Sequence, residues 1–130
     1  MNAGTDIVTS LDGKQFYYSF LAGAQKIFES QGMLNSINVF PVPDADTGTN
    51  LASTMQAIVD QAKPSSNIKT TITAIAEAAL IGARGNSGII FAQFLHGINT
   101  EINNNETLDV NGFASTLKKA SRYAYEAISN

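Results

Sequence analysis

Apolar residues recur at intervals of three and four along most of the chain, which is the spacing of one buried face of an α-helix. The first such segment follows Asp12, and Gln15 three positions later predicts a capping box at its start. We expect Gly32 to close this helix. Its apolar face is formed by Phe16, Phe20, Leu21, Ala24, Ile27 and Phe28.

Four further segments show the same period, and proline, glycine or polar residues separate them. The second predicted helix ends before Pro64, and the fourth follows the glycine-rich segment GARGNSG. The third includes the run IKTTITAI, whose β-branched residues lower helix propensity, but its period favours a helix over a strand. Asp109 or Asn111 is expected to cap the fifth. The apolar positions of these four segments are Leu51, Met55, Ile58, Val59 and Ala62; Ile68, Ile72, Ile75, Ala76, Ala79 and Leu80; Ile90, Phe91, Phe94, Leu95 and Ile98; and Phe113, Leu117, Ala120, Ala124 and Ile128.

Five helices and no clear strand predict an all-α fold. No internal repeat or low-complexity linker divides the 130 residues, so we expect one domain spanning 1–130. The last predicted helix runs to Asn130. An antiparallel helical array that stops there is either complete or separated from its packing partners, and the pattern leaves both alternatives open.

The composition narrows the possible classes of function. A net charge of −3 gives no basic surface for nucleic acid, so a nucleic-acid partner is disfavoured. The absence of cysteine excludes thiolate zinc sites and a cysteine nucleophile. The N-terminal residues lack the pattern of a secretory leader, and no apolar stretch is long enough to span a bilayer. We therefore expect a cytoplasmic protein without membrane insertion.

The segment INVFPVPDADTGTNL carries the clearest candidate chemistry. Its two prolines predict a stiff loop, and Asp44 and Asp46 would repel each other unless a cation lies between them. Carboxylate and amide oxygens suit Mg²⁺, with Asn38 as a possible third ligand. The alternative is that both aspartates face the positive end of a helix dipole, with Thr47 or Thr49 as the N-cap. We favour the metal, because two carboxylates this close need a counter-ion.

A second loop, Gly82 to Gly88, places three glycines and Ser87 before a predicted helix. Converging backbone amides, a helix N-terminus and a hydroxyl together form a phosphate cradle. The alternative is a tight turn in which glycines allow two helices to pack closely. We favour the phosphate cradle because the chain also contains a predicted Mg²⁺ loop, and the two loops together would form the two halves of a nucleotide-phosphate site. Arg84 either touches a phosphate or is solvated, and His96 lacks the partners of a metal ligand.

The motifs NVFPVPDADTGTN and GARGNSGII resemble those of the DhaL-type domain, which dihydroxyacetone kinases share with FakA-like fatty acid kinases. The FakA-like branch is the more similar. The first motif departs from it at Ala45, where glycine is usual. The dihydroxyacetone kinase branch usually has histidine in place of Thr47 and a third aspartate near Asn38. The resemblance extends from about Asp12 to Asn130.

This resemblance implies a nucleotide-binding domain built as an antiparallel barrel of about eight helices. Five are predicted here, so the domain is expected to be truncated at its C-terminus and inactive alone. The resemblance implies that two Mg²⁺ ions, bound to the phosphates of ATP or ADP, are held by the first motif. The implied metal ligands are Asp44, Asp46 and Asn38, and the implied nucleotide-binding residues are Thr47, Gly48, Thr49, Asn50, Gly85, Asn86, Ser87 and Gly88.

The activity implied by the resemblance is transfer of the γ-phosphate of ATP to a fatty-acid carboxylate, which gives an acyl phosphate. The fatty acid would be presented by a DegV-like (FakB-type) binding protein, and a homodimer could form through regions outside this chain. A carboxylate acceptor is already ionised at neutral pH and needs no general base. The alternatives are a dihydroxyacetone kinase-type subunit, a non-catalytic Mg-nucleotide-binding module, and a purely structural helical protein.

Overall fold

The computed structural model describes residues 9–38, 45–102, 104 and 107–129. This part of the chain is all-α, as predicted, with six helices and one short pair of strands. The elements in chain order are β1 (Ser10–Leu11), α1 (Gly13–Glu29), α2 (Gln31–Ser36), α3 (Thr47–Gln61), α4 (Ile68–Gly82), α5 (Gly85–Glu101), β2 (Leu108–Asp109) and α6 (Val110–Ser129).

The predicted helix ends agree with the structure except at two places, Gly32 and the glycine-rich loop. The predicted loop from Gly82 to Gly88 is wrong in its extent, because α4 continues to Gly82 and α5 already begins at Gly85. The expectation that Gly32 closes the first helix is wrong, because α1 ends at Glu29 and Gly32 lies inside the additional helix α2. Ser30 makes the break, and its N–H donates to the carbonyls of Lys26 and Ile27. Gly32 does not adopt the positive φ of a glycine C-cap, so the chain continues as a helix beyond it.

The predicted N-terminal caps of α1 and α6 are confirmed. Asp12 and Gln15 form a complete capping box at α1, with hydrogen bonds of 2.8 and 2.9 Å. At α6 the Asp109 carboxylate accepts the Gly112 N–H at 2.6 Å, so Asp109 is the cap and Asn111 lies within the helix. The period-based choice of helix for the third segment is also confirmed, since Ile68 to Gly82 is α4.

A two-residue ribbon, which the sequence did not predict, joins the starts of α1 and α6. β1 and β2 pair in antiparallel fashion, with Ser10 opposite Asp109 and Leu11 opposite Leu108. An apolar cavity of about 420 Å³ lies beneath it, and Leu11, Phe16, Phe20 and Phe113 are among its lining residues. None of the motif residues that the structure describes lines this cavity.

The core is organised around α4, which packs against α1, α3 and α5. Its buried residues are Ile68, Thr71, Ile72, Ile75, Ala76, Ala78 and Ala79. Ala83 and Arg84 alone join α4 to α5, and Lys69 at the start of α4 contacts the Asn99 carbonyl near the end of α5. The two helices are therefore antiparallel, and the start of α5 lies at the same end of the molecule as the end of α4.

None of the helices in the described ranges is long and apolar enough to cross a membrane.

Candidate functional site

Asp46 to Asn50 of the first motif form the N-terminus of α3, and the side chains of Asn35 and Asn38 cap its amides. The Asn38 amide oxygen accepts the Thr47 N–H at 3.0 Å. The Asn35 amide oxygen accepts the Thr49 N–H at 3.0 Å, and the Asn35 amide nitrogen donates to the Thr49 hydroxyl at 3.0 Å. These bonds satisfy two of the amides that a helix start leaves without intrahelical partners.

Asp46 occupies the N-cap position but makes no side-chain capping hydrogen bond. In the alternative interpretation the choice of Thr47 or Thr49 as the N-cap is wrong, because both lie inside α3, but its placement of Asp46 at the positive end of a helix dipole agrees with the structure. Since Asn35 and Asn38 do the capping, the half-buried Asp46 carboxylate is not used to satisfy the helix amides. This arrangement fits the hypothesis that Asp46 is a cation ligand.

The structure does not test the other two predicted metal ligands, Asp44 and Asn38. Asp44 lies outside the described residues, so its role stays a prediction. The Asn38 amide oxygen accepts the Thr47 N–H, and its role as a metal ligand stays a prediction. Among the described residues no group of three or more histidine, cysteine or acidic side chains forms a metal site. Mg²⁺ does not need one, because it is commonly held by one or two carboxylates, waters and substrate phosphates.

The second motif forms the connection from α4 to α5 and the first turn of α5. This helix begins at Gly85, which has a φ of +69°, and its N-cap residue Arg84 makes no side-chain capping bond. The side chains of Arg84 and Asn86 are exposed, while Ser87 is half-buried and Gly88 is buried. The first turn of α5 therefore lies partly open to solvent beside α3.

The two motifs meet directly, although about 40 residues separate them. The Ser87 hydroxyl donates to the Thr47 carbonyl at 3.2 Å. A side chain at Gly85 would collide with the Asn50 amide group, and one at Gly88 would collide with the Thr54 hydroxyl. The glycines of this loop therefore do allow close packing of two helices, as the alternative interpretation expects. The same close packing brings the predicted nucleotide-binding residues of both motifs together.

This contact places two helix N-termini at one place on the surface. Each carries partial positive charge, and neither has an acidic residue in its first turn. An anion bound there would relieve the repulsion between the two dipoles. The Asp46 carboxylate at the N-cap of α3 supplies negative charge beside them. The site can therefore attract a phosphate group and offers an oxygen ligand for a cation that accompanies it.

Sequence reasoning missed two residues at this site, Asn35 and Thr54. Thr54 follows Asn50 by one helical turn and precedes the buried Ile58 by another, so polar residues continue the core-facing stripe of α3. A polar residue at a buried helical position is a signal for a specific hydrogen bond. Asn35 gave no comparable signal, because it caps a helix other than its own.

Comparison with known proteins places these motifs in a family. Residues 41–130 match the family model described as the DAK2 domain. Protein YloV of Bacillus subtilis (strain 168) is 36% identical over 123 residues, which cover 93% of this chain and 22% of YloV. An uncharacterized protein of Staphylococcus saprophyticus is 36% identical over 124 residues, with 94% and 22% coverage.

An uncharacterized protein of Staphylococcus epidermidis is 32% identical over 124 residues, again with 94% coverage of this chain and 22% of the relative. The chain thus spans about a fifth of the length of the curated relatives it matches. The family model covers both the α3 motif from Pro41 onward and the α5 motif. The chain therefore belongs to the DAK2 domain family, in agreement with the DhaL-type resemblance of its motifs.

Proposed function

We propose that this chain is the Mg-nucleotide-binding part of an ATP-dependent phosphotransferase. The DAK2 domain family is associated with kinase-related phosphotransfer. The observation that carries the proposal is the Ser87–Thr47 hydrogen bond, since it joins the N-termini of α3 and α5 into one anion-attracting surface beside Asp46. Phosphoryl transfer asks a protein mainly for positioning and charge neutralisation, and this surface is suited to both.

In this proposal Asp44 and Asp46, with Asn38, hold Mg²⁺, whose charge offsets that of the phosphate oxygens of ATP or ADP. The N–H groups of Thr47, Thr49 and Asn50 are already bonded to Asn38, Asn35 and Asp46, so α3 contributes mainly the hydroxyls of Thr47 and Thr49 and the Gly48 N–H to the phosphates. Gly85 to Gly88 contribute backbone amides and the Ser87 hydroxyl. The Thr49 hydroxyl accepts from Asn35, so its own proton is directed away from Asn35 and is available to a ligand. The Ser87 hydroxyl has a single proton, which is donated to Thr47, so donation to a phosphate requires the hydroxyl to rotate.

The proposed acceptor is a fatty-acid carboxylate carried by a DegV-like binding protein, and the product is an acyl phosphate. The similarity of both motifs to the FakA-like branch supports this choice, as does Thr47 in the place where the dihydroxyacetone kinase branch usually has histidine. A carboxylate acceptor needs no proton removed at neutral pH. The site surface just described therefore has to supply binding and orientation and no general base.

The binding part of the proposal is tested by thermal unfolding with ADP or ATP, with and without Mg²⁺. A ligand present at a hundred times its dissociation constant adds about 2.7 kcal/mol to the stability of the folded state, which raises Tm by several degrees. We expect the increase to need both nucleotide and Mg²⁺. It should be lost in the Asp44→Asn/Asp46→Asn double variant.

The control is Asp60→Asn, which removes one negative charge from the opposite end of α3 and is compared with the single variant Asp46→Asn as well as with the double variant. Its response to Mg²⁺ and nucleotide should equal that of the wild type. An equal loss in Asp46→Asn and Asp60→Asn would show that net charge, and not a site, governs the response. An unchanged Tm of the wild-type chain on addition of Mg-nucleotide would contradict the proposal.

The acceptor is tested separately by supplying ATP and Mg²⁺ with either a fatty acid on a DegV-like protein or dihydroxyacetone. Trapping of an acyl hydroxamate with hydroxylamine in the first mixture supports the fatty acid. Nucleotide turnover only in the mixture with dihydroxyacetone supports a dihydroxyacetone kinase-type activity. Binding without turnover in either mixture is the expected result if this domain is inactive alone. Binding without turnover by a full-length relative as well supports a non-catalytic nucleotide-binding module.

A further inference from the structure

One buried hydroxyl ties the two motifs of the site together. The Thr54 side chain in α3 is 0% exposed. Its hydroxyl donates to the Asn50 carbonyl at 2.8 Å and accepts the Arg84 N–H at 3.2 Å. Arg84 immediately precedes α5, so this hydroxyl bonds the backbone of α3 to the connection that leads into the first turn of α5.

The packing around Thr54 leaves little freedom for another arrangement. Gly88 lies so close that a side chain there would strike the Thr54 hydroxyl. One turn earlier on the same face of α3, the Asn50 side chain fills the space beside Gly85. Two polar residues one turn apart thus contact two glycines three positions apart. The start of α5 is held against α3 at two points, and Thr54 supplies the hydrogen bond between them.

We propose that Thr54 is a positioning residue, which fixes the start of α5 relative to the N-terminus of α3 so that both meet one anion. The proposal rests on the function proposed above. Thr54 is buried and does not itself face a ligand, so it acts through Arg84, Gly88 and Asn50. Replacing it by valine keeps the shape but leaves the Arg84 N–H without its acceptor, and the connection is then free to move.

Thr71 provides a matched control at the other end of the fold. It is also 0% exposed, its hydroxyl donates to the Ser65 carbonyl at 2.8 Å and accepts the Ser65 N–H at 2.9 Å. It packs against Gly13 as Thr54 packs against Gly88. Thr71→Val therefore removes the same kind of bridge, but from the segment before α4.

The experiment compares Thr54→Val, Thr54→Ser and Thr71→Val by amide hydrogen exchange without ligand and by calorimetric titration with Mg-ADP. Thr54→Val should speed exchange in residues 83–88 and weaken Mg-ADP binding by at least about tenfold. Thr54→Ser, which keeps the hydroxyl, should restore both. Thr71→Val should speed exchange near Ser65 and leave the Mg-ADP affinity unchanged.

Equal Mg-ADP affinities in Thr54→Val and Thr71→Val would overturn the positioning role, as would unchanged exchange in residues 83–88. If Thr54→Val does not fold, Thr54→Cys is the second variant, because cysteine fills a similar volume and its sulfur is only a weak acceptor, and the same results are expected. A wild-type chain that does not bind Mg-ADP refutes the proposed function instead. Exchange in residues 83–88 then decides by itself whether Thr54 holds the connection.

Discussion

At the scale of a single residue, the backbone conformation at Ala45 gives a physical reason for the glycine that is usual at this position in the motif that the chain resembles. Among the described residues, Ala45 is the one non-glycine residue with a positive φ, at 58°. A methyl group in this left-handed region costs about 1–2 kcal/mol, whereas glycine adopts it without steric cost. The usual glycine at this position therefore has a backbone reason, which the sequence motif did not reveal.

We predict that Ala45→Gly stabilises the chain by about 0.5–1 kcal/mol, because relief of strain exceeds the added entropy of the unfolded chain. Urea unfolding measures this change. Ala22→Gly is the control, since Ala22 is exposed within helix α1 and the same substitution there should destabilise by about 0.5–1 kcal/mol. Destabilisation by both variants would argue against the positive φ at Ala45.

Gly85 is the second residue whose backbone conformation constrains its identity. Its φ is +69°, and a methyl group there would collide with the Asn50 side chain. We predict that Gly85→Ala lowers the free energy of unfolding by at least about 1–2 kcal/mol and abolishes the Tm increase with Mg-nucleotide.

Gly23→Ala is the matched control for Gly85→Ala. Gly23 lies in helix α1 with open space around it, so alanine there should raise stability by about 0.5–1 kcal/mol through its better helix propensity. It should leave the nucleotide response intact. If Gly85→Ala behaved like Gly23→Ala, the close contact between the two motifs would be wrong.

At the scale of elements, the start of helix α3 is stabilised by capping side chains that lie outside the helix. Asn35 is the last but one residue of α2 and bonds to both the N–H and the hydroxyl of Thr49. We predict that Asn35→Ala destabilises the chain by about 1–2 kcal/mol and also lowers the affinity for Mg-nucleotide, because the Thr49 hydroxyl loses its orienting partner. Chemical unfolding and nucleotide titration measure the two effects.

Asn67→Ala is the control that distinguishes the loss of any helix cap from the loss of the cap at the candidate site. Asn67 is the N-cap of α4, and its side chain accepts the Thr70 N–H at 3.0 Å. Its loss should cost a similar amount of stability without any change in nucleotide affinity. Equal effects of both substitutions on affinity would mean that Asn35 contributes only to stability.

The pairing of α5 with α6 includes a hydrogen bond that should make stability depend on alkaline pH. The Tyr123 hydroxyl donates to the Glu101 carboxylate at 3.0 Å, and this bond, followed by partial burial and the nearby negative charge of Glu101, raises the pKa of Tyr123. The folded state therefore binds this proton more tightly than the unfolded state, in which the tyrosine pKa is about 10. The stabilisation is complete below that pH and is lost as the pH rises through the folded-state pKa.

We predict that Tyr123→Phe lowers Tm relative to wild type at pH 8 and that this difference shrinks at pH values above the tyrosine pKa of about 10. Thermal unfolding at both pH values measures it. Tyr18→Phe serves as the control, because Tyr18 is exposed in α1 and has no hydrogen bond of this kind among the described contacts. A constant difference across the pH range would contradict the assigned bond.

At the scale of the whole molecule, the burial of a side chain of α4 decides how much that side chain contributes to the free energy of unfolding. Ile75 is 1% exposed in the core, whereas Ile81 is 88% exposed at the end of the same helix. We predict that Ile75→Ala destabilises by about 2–5 kcal/mol and Ile81→Ala changes stability by about 0.5 kcal/mol or less. Denaturant unfolding of the two variants measures this contrast, and similar losses would place the core elsewhere.

The helices were predictable because their information is local. Period, capping residues and breakers lie within each segment, so α1, α3, α4, α5 and α6 follow from the sequence. The helix α2 does not follow from the sequence, because a glycine after a run of polar residues normally indicates a helix end, whereas Gly32 does not adopt a positive φ. The strand pair was missed because two-residue strands carry no period and pair only when distant segments meet.

The residues of the candidate site were only partly predictable, because their chemistry is local and their partners are not. Asp46, Thr47, Ser87 and the glycines carry a signal in their own motifs. Asn35 and Thr54 act on residues 14 and 30 positions away, and no local pattern specifies such partners.

The sequence by itself determined the helical class of this protein, most helix ends and the two motifs that place it in the DAK2 domain family. The physical reason is that periodicity, capping and glycine content act over a few residues. Only the tertiary structure decided that the N-termini of α3 and α5 meet, that Asn35 and Asn38 release Asp46 from capping, and that Thr54 bonds the two motifs together. These contacts depend on how α4 packs between its neighbours, and packing is a property of the whole chain.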